Sequence, residues 1–440
     1  MKKITKILLA AFMVLSSLFG LSFTSNARAL AITTINDNAI RSTAYEYLLS
    51  FVQYGAIARK NLVRTAGTAG EYYASLSIAN YLELMGLEAK THDQDSSILE
   101  NQSGCQRFSF SDIYSGEKKT SYNLIYTIKG ASSQKKVVIS TNYDNDYIGY
   151  YDQEDQDYLV TEGEDFSEGV NASAASVAAL LTLAEVLPQG YFDFDIEMVF
   201  FGAGYNNNAG ARYYNQTMNK TERDSVLLML DVSRIALGNK MYYYSGAFGS
   251  HADELYQKSL NLNKFKHNTH GVGLESDSTM LGYTNAGYSS STTVFEGSGV
   301  NVLHMFAGDY EQGIFAGYSE YVGVSNITNS QNDSIDYILS TYDKDLTDNM
   351  TLVCRSIIDL LNSSDFINTL SAKPNEKPYK MFSARQYISL IMLVLLIVLM
   401  IIAIIIHYSI SKKTYKYISD NKISGVMIQL DEEDKTQKKK

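Results

Sequence analysis

The chain has 440 residues, 45% of them hydrophobic, and a net charge of −11, too apolar for a disordered protein and too acidic for a nucleic-acid binder. Residues 1–29 carry +4 and residues 411–440 carry +3, so the −11 overall leaves −18 on residues 30–410. That charge excludes nucleic acid and anionic lipid as partners of the central part. Cys105 and Cys354 are too few to frame a domain of this length as a disulfide scaffold, and their pairing stays open.

Lys2, Lys3 and Lys6 precede an uncharged apolar run over 7–23, and small residues follow at Ala27, Ala29 and Ala31. This layout predicts a secretory signal peptide over 1–29, with an uncleaved anchor helix as the alternative. Tyr45, Leu48, Leu49, Val52 and Ala56 recur at helical spacing and predict a helix over 39–63. A turn bearing Gly67 and Gly70 leads into a second predicted helix over 71–85, stopped by Gly86. After a polar stretch of weak pattern come strands over 121–129 and 136–141, which read as neighbours in one sheet. Residues 142–169 form an acidic, Tyr-rich loop without periodicity. An Ala/Leu-rich helix over 171–187 ends at Pro188. Further strands are expected over 194–201, 225–231 and 300–306, with a helix from near Ala209 and a last one over 348–361.

This alternation predicts an α/β fold, a mixed central sheet with helices on both faces. The outer domain is placed at 30–362, and a linker with Pro374 and Pro378 at 363–386. Residues 387–406 follow without a charge; as a helix they span about 30 Å, enough to cross a bilayer, so a transmembrane helix is placed at 387–410. Lys412, Lys413, Lys416 and Lys422 lie on its carboxyl side and assign the tail at 411–440 to the cytoplasm. The expected topology is single-pass in the plasma membrane, with the large domain outside. No Trp, 34 Tyr and abundant Asn, Lys and Ile point to an AT-rich bacterial genome, and the expected source is a Gram-positive cell surface.

Several segments, in order, resemble metallopeptidase family 28, the double-zinc aminopeptidases. Arg64-x-x-Gly67-Thr68-x-Gly70-Glu71 is similar to the family's opening motif, and Tyr122 to Gly130 resembles the strand before its first ligand. Val137 to Asp144 resembles its His-x-Asp strand, and Gly169-Val-Asn171-Ala172-Ser-Ala-Ala-Ser176 its Gly-Ala-Asn-Asp-Asn helix start. Val199 to Tyr214 falls on its Glu-Glu segment and Leu228-Met-Leu-Asp231 on its Leu-Asp strand. The resemblance covers roughly 64–360 and implies a zinc-exopeptidase-like fold.

Two zinc ions about 3.5–4 Å apart need a bridging carboxylate, His and carboxylate ligands, and a base for the shared water. On the family's pattern the first His is Asn142 here, the bridging Asp is Ala172, the base Glu is Gly204 and its neighbouring ligand Glu is Tyr205. The late His falls near Asn329. Asp231 alone stands as a ligand, together with Asp144, whose implied role is to orient the missing His. Amide, methyl and hydrogen side chains supply poor zinc donors or none. The expectation is therefore a degenerate member resembling nicastrin-type inactive homologues, with no catalytic residue and no cofactor. Asp144 and Asp231 are candidates to line a residual cleft. A peptide ligand there and a membrane-protein partner through the span are the partners this implies. The alternative is an active zinc exopeptidase with a single-metal or relocated site, resting on Asp144, Asp231, Asp333 and the acidic loop.

Other chemistry is weaker. His267-x-x-His270 reads as a solvated pair, His304 as a satisfied core histidine, and His407 as an interfacial ring. Glu162, Glu164, Asp165 and Glu168 offer oxygens for Ca²⁺ but lack an ordered loop pattern. Ser289 to Thr293 reads as a polar strand edge, and Gly271-Val-Gly273 follows no clear strand.

Overall fold

The computed structural model describes residues 34–54, 63–89, 104–113, 115–132, 134–146, 149–152, 157–160, 167–238, 240–245, 252–261, 266–267, 290–296, 298–308, 327–372 and 384–420. The predicted signal, the end beyond 420 expected to be cytoplasmic, His92, His251, His270, Glu162, Glu164, Asp165 and Gly271 to Gly273 lie outside them. Two units divide the chain, Met1–Asn375 and Glu376–Lys440.

In the first unit the strands are β1 (Glu88–Ala89), β2 (Cys105–Ser111), β3 (Lys118–Ile128), β4 (Lys136–Asn142), β5 (Gly149–Asp152), β6 (Asp157–Val160), β7 (Asp195–Phe201), β8 (Val226–Val232), β9 (Lys240–Tyr244), β10 (Lys266–His267) and β11 (Val302–Gly308). The main sheet runs β1-β3-β7-β4-β8-β11-β9-β10, with β2 also on β3. β7, β4, β8 and β11 are mutually parallel, whereas β3 is antiparallel to β7 and β9 to β11. The predicted mixed α/β architecture is what forms.

Three details differ from the sequence expectation. β3 and β4 are not neighbours, because β7 lies between them. The chain entering β7 is wedged under the β3–β4 connection: a Cβ on Gly130 would lie 2.1 Å from the Phe194 carbonyl oxygen, and the Gly130 N–H donates to Asp195 Oδ1 at 2.9 Å. β2, unpredicted, alternates buried Gln106, Phe108 and Phe110 with more exposed Arg107, Ser109 and Ser111, a half-buried edge pattern hidden in a polar stretch. Part of the acidic loop is the antiparallel pair β5–β6.

The helices are α1 (Asp37–Leu49, continued by a π-turn over Ser50–Tyr54), α2 (Ala69–Leu84), α3 (Ala175–Val186, entered through a π-turn over Val170–Ala174), α4 (Ala209–Thr217), α5 (Lys220–Ser225), α6 (Asp253–Asn261), α7 (Ile335–Leu361) and α8 (Phe366–Leu370). One face of the sheet packs on α1, α2, α3 and α7 through Leu48, Ile78, Leu180, Leu183, Ile196, Leu230 and Val353. The other packs on α4 through Ile125, Val199, Phe201, Tyr214 and Met229. The helical stretch Val170–Gln189 is long and apolar enough to cross a membrane, yet 94% of its most apolar 18-residue window is buried here, so it is a core helix. Burying each of Leu180, Leu181 and Leu183 contributes about 1.5–3 kcal/mol. α7 begins earlier than expected, capped by Ser334 and interrupted at Tyr342. The core also continues past 362, because α8 buries Phe366 and Leu370.

Cys105 and Cys354 are free thiols; Cys354 is buried on α7 and donates to the Ala179 carbonyl. In the second unit, α9 (Ala384–Asp420) is a continuous helix of 37 residues whose apolar side chains, among them Leu396, Ile401, Ile404 and Ile405, are exposed.

Candidate functional site

β4, β7 and β8 end side by side, and the residues beyond their carboxyl ends meet the start of α3, the usual place for a site in such a sheet. β4 delivers Asn142 and, just beyond, Asp144. β7 delivers the turn from Gly202 to Asn208, in which Ala203, Asn207 and Asn208 all take left-handed φ values of 50–56°. Asparagine visits that conformation readily, whereas alanine holds it only where its surroundings enforce it.

Two buried carboxylates enforce it. Asp144 takes the Gly204 N–H at 2.8 Å and the Tyr205 N–H at 3.1 Å, and Asn142 Nδ2 lies 3.4 Å from the same carboxylate. Glu71 takes the Ala203 N–H at 2.9 Å and the Ser121 hydroxyl at 2.6 Å. Its other oxygen takes the Gly67 N–H at 2.6 Å, while Thr68 Oγ1 caps the Glu71 N–H. The glycine-bearing turn is thus close to a capping box, with the acid reaching back to the N–H one residue before the Thr68 cap and across to the β7 turn. Burial pushes the Asp144 carboxyl up; burial and then the charge of Asp144 push Glu71 up.

The turn lies so close to β4 that a Cβ on Gly204 would stand 2.6 Å from Asn142 Cβ and 3.0 Å from both Asn142 Cγ and Asp144 Oδ1. No glutamate fits at 204 with this backbone. Tyr205 turns inward and is 3% exposed. Its hydroxyl donates to the Ala172 carbonyl at 3.3 Å and is hydrogen-bonded by the Asn329 and Arg234 side chains. Burial pushes that phenol up to about 12, against the opposing pull of Arg234 and Asn329. The Arg234 guanidinium also stands 5.8 Å from the Tyr205 ring centre.

Asp333 supplies the counterpart below. It takes the N–H groups of Asn171 (2.6 Å), Ala172 (3.1 Å) and Asn329 (2.9 Å), at the head of the α3 π-turn. Burial raises its pKa to about 6. Asn171 extends the clamp, with its Oδ1 accepting from the Ala236 and Leu237 N–H groups.

Asn142, Asp144, Ala172, Gly204, Tyr205 and Asn329 therefore form one hydrogen-bonded patch. Asp231 belongs to a different cluster. Its carboxylate accepts from the hydroxyls of Ser140 (3.0 Å), Ser290 (2.7 Å) and Ser291 (2.7 Å). Ser233 lies between Asp231 and His304, its hydroxyl 2.7 Å from His304 Nε2. His304 is buried as expected but only half satisfied, since Nδ1 finds no partner among the described residues. Burial first, then Arg234, depress its pKa to about 3, so it stays neutral. A hydrolytic triad would place the acid on Nδ1, whereas Asp231 lies 4.0 Å from Nε2. Ser291 to Thr293 are not a strand edge: Ser291–Val294 is a 3₁₀ turn capped by Ser290, and the turn aims the hydroxyls at Asp231.

Asp144 and Asp231 are 0% and 2% exposed, so neither lines an open cleft; of the patch, Asn142, Gly204 and Asn329 are partly exposed. Glu168 accepts the Ile335 N–H and helps start α7. Among the described residues, no three His, Cys, Asp or Glu side chains gather into a metal-holding group. The donor set does not fit a zinc pair: at the five altered positions stand two amides, a methyl, a glycine and a phenol bonded to protein, and the remaining acids accept from N–H and O–H donors. Sequence reasoning missed Glu71, Arg234 and the serines around Asp231. For Arg234 the one signal was a charged residue just past a buried strand.

The sequence matches the model of peptidase family M28 over residues 123–353. The fold resembles a zinc aminopeptidase from Bacillus subtilis, with 15% identity, 77% of this chain and 96% of that chain covered, and a TM-score of 0.51. A Zn-dependent exopeptidase from Parabacteroides distasonis is similar at 13% identity, 73% and 98% coverage and a TM-score of 0.50. A glutaminyl cyclase from Tannerella forsythia gives 14%, 74% and 98%, with a TM-score of 0.50. At such identities the likeness is one of fold. No curated protein matches the chain by sequence.

Proposed function

The chain belongs to peptidase family M28, and from that premise we propose that it binds rather than hydrolyses: a peptidase-like outer domain without di-zinc chemistry, tethered to the bacterial plasma membrane by α9. The carrying observation is the approach of the β7 turn to β4. An emptied active site would keep room for the base and its water. Here the space at Gly204 is taken by Asn142 and Asp144, and the next side chain spans to the Ala172 carbonyl. A general base must reach the proton it removes, and neither Gly204 nor Tyr205 offers one.

Ligand contact then falls to the partly exposed rim, Asn142, Gly204, Asn329 and Arg234. A peptide is the proposed ligand, by analogy with what the fold handles elsewhere. Tethering is supported by the charge-free run over 387–406, the exposed apolar side chains of α9 and the lysines beyond it. A signal at 1–29 would place the domain outside, and a membrane-protein partner would meet the helix.

A second proposal, a zinc-dependent exopeptidase with a divergent or single-metal site, is favoured by the family and by the activities of the solved proteins of similar fold. Metal analysis of the purified full chain, with a screen of aminoacyl and peptidoglycan-peptide substrates, separates the two. The binding proposal expects no turnover. Stoichiometric zinc with turnover abolished by Asp231→Ala would establish the other.

A further inference from the structure

α9 is longer than a bilayer needs. Its 37 residues extend about 55 Å, against roughly 30 Å of hydrocarbon. The charge-free stretch ends at Ile406, yet the helix runs on through Asp420. On this extension Lys412, Lys413 and Lys416 are exposed, and Lys412 and Lys416, one turn apart, share a face. Between Arg385 and Asp420 there is no acidic residue, so the lysines are the only full charges on this part of the helix besides the titratable His407.

Distance decides what they meet. Lys412 and Lys413 lie about 9–10 Å beyond Ile406 along the axis, and Lys416 about 15 Å beyond. The headgroup layer occupies about 5–7 Å on each side of the hydrocarbon. A lysine stem reaching back about 6 Å brings the first two ammonium groups among the headgroups, while the third stays about 2 Å outside that layer and acts on it across water. His407 and Tyr408, both exposed, fall in the interfacial band between.

Resting on the tethering proposed above, we propose that this turn of α9 docks on anionic phospholipid headgroups of the inner leaflet. The central domain is strongly acidic; of the basic segments on this side of the span, this turn and the terminal Lys435 and Lys438 to Lys440, the turn is the one that follows directly on the apolar stretch. Each lysine near an anionic surface favours it by about fivefold. The competing occupant is the chain's own acidic stretch, Asp431 to Asp434.

The test uses the full chain reconstituted into nanodiscs of phosphatidylcholine containing about 30% phosphatidylglycerol. Lipid retained through detergent exchange is quantified by mass spectrometry, for wild type and for the Lys412→Gln, Lys413→Gln, Lys416→Gln triple variant. Expected is a several-fold enrichment of phosphatidylglycerol over its bulk share in wild type, falling to bulk in the variant. Bulk composition in wild type, or equal enrichment in both chains, overturns the docking while leaving the tether intact. Enrichment that appears only after residues 421–440 are removed assigns the lysines to the acidic tail and overturns it too. A chain that fails to float with vesicles of either composition refutes the tether, and the docking with it.

Discussion

Gly204→Ala is the smallest change that probes the closed turn. Gly204 does not need a left-handed φ, so alanine is conformationally allowed and would by itself stabilise by about 0.4–1 kcal/mol through the unfolded chain. Against this, the new methyl meets Asn142 Cβ at 2.6 Å and Asp144 Oδ1 at 3.0 Å, contacts that force a shift of several tenths of an ångström. Overpacking of this kind costs about 1–3 kcal/mol, and more if the shift breaks the 2.8 Å bond from the Gly204 N–H to the Asp144 carboxylate. The expected net is a loss of about 0.5–2.5 kcal/mol, a fall in Tm of about 1–4 °C for a domain of this size. Urea unfolding gives the free energy directly. Asn142→Gly removes two of the three obstructing atoms, including the nearest, so the double variant should recover at least about 1 kcal/mol relative to the sum of the singles. A neutral or stabilising Gly204→Ala, with no coupling to residue 142, would refute the closure of the turn on β4.

Ser291→Ala removes one of three short hydroxyl bonds to the buried Asp231 carboxylate and should cost about 1.5–3 kcal/mol in urea unfolding. Tyr205→Phe should cost about 1–2 kcal/mol without changing the fold, since it deletes only the hydroxyl that joins Ala172, Asn329 and Arg234. Two pH effects of opposite sign are separable by variants. Asp333 is protonated more readily when folded, with its pKa raised to about 6, so the stability of wild type relative to Asp333→Asn should fall as pH rises from about 4 to about 6 and level off above. His304 refuses its proton when folded, with its pKa lowered to about 3, so wild type relative to His304→Gln should lose stability as pH falls from about 6.5 toward 3. Flat difference curves over those windows would contradict both assignments.

Local pattern carried most of the frame. The buried strands β4, β7, β8 and β11 and the Ala/Leu-rich α3 declare themselves by apolar runs bounded by Gly, Asn or Pro. β2 did not, because an edge strand needs only alternate apolar residues and its Arg107, Ser109 and Ser111 face outward. The place of β7 between β3 and β4 is a long-range choice that no window of sequence contains. For the site, the altered positions Asn142, Ala172, Gly204, Tyr205 and Asn329 were legible by type and order. Their partners were not: Glu71 reaches Ala203 across 132 residues and Asp333 reaches Ala172 across 161. Asp231, the surviving ligand by sequence, is committed to serine hydroxyls from β4 and from the turn at Ser290. Only packing reveals that a retained acid has been given other work.

Zinc stoichiometry of the full chain after equilibration with excess zinc and desalting tests the central claim most directly. With the donors replaced and the turn closed, we expect less than about 0.1 zinc per chain and no zinc-dependent rise in Tm. About two zinc ions per chain, with a Tm rise that Asp231→Ala removes, would contradict it.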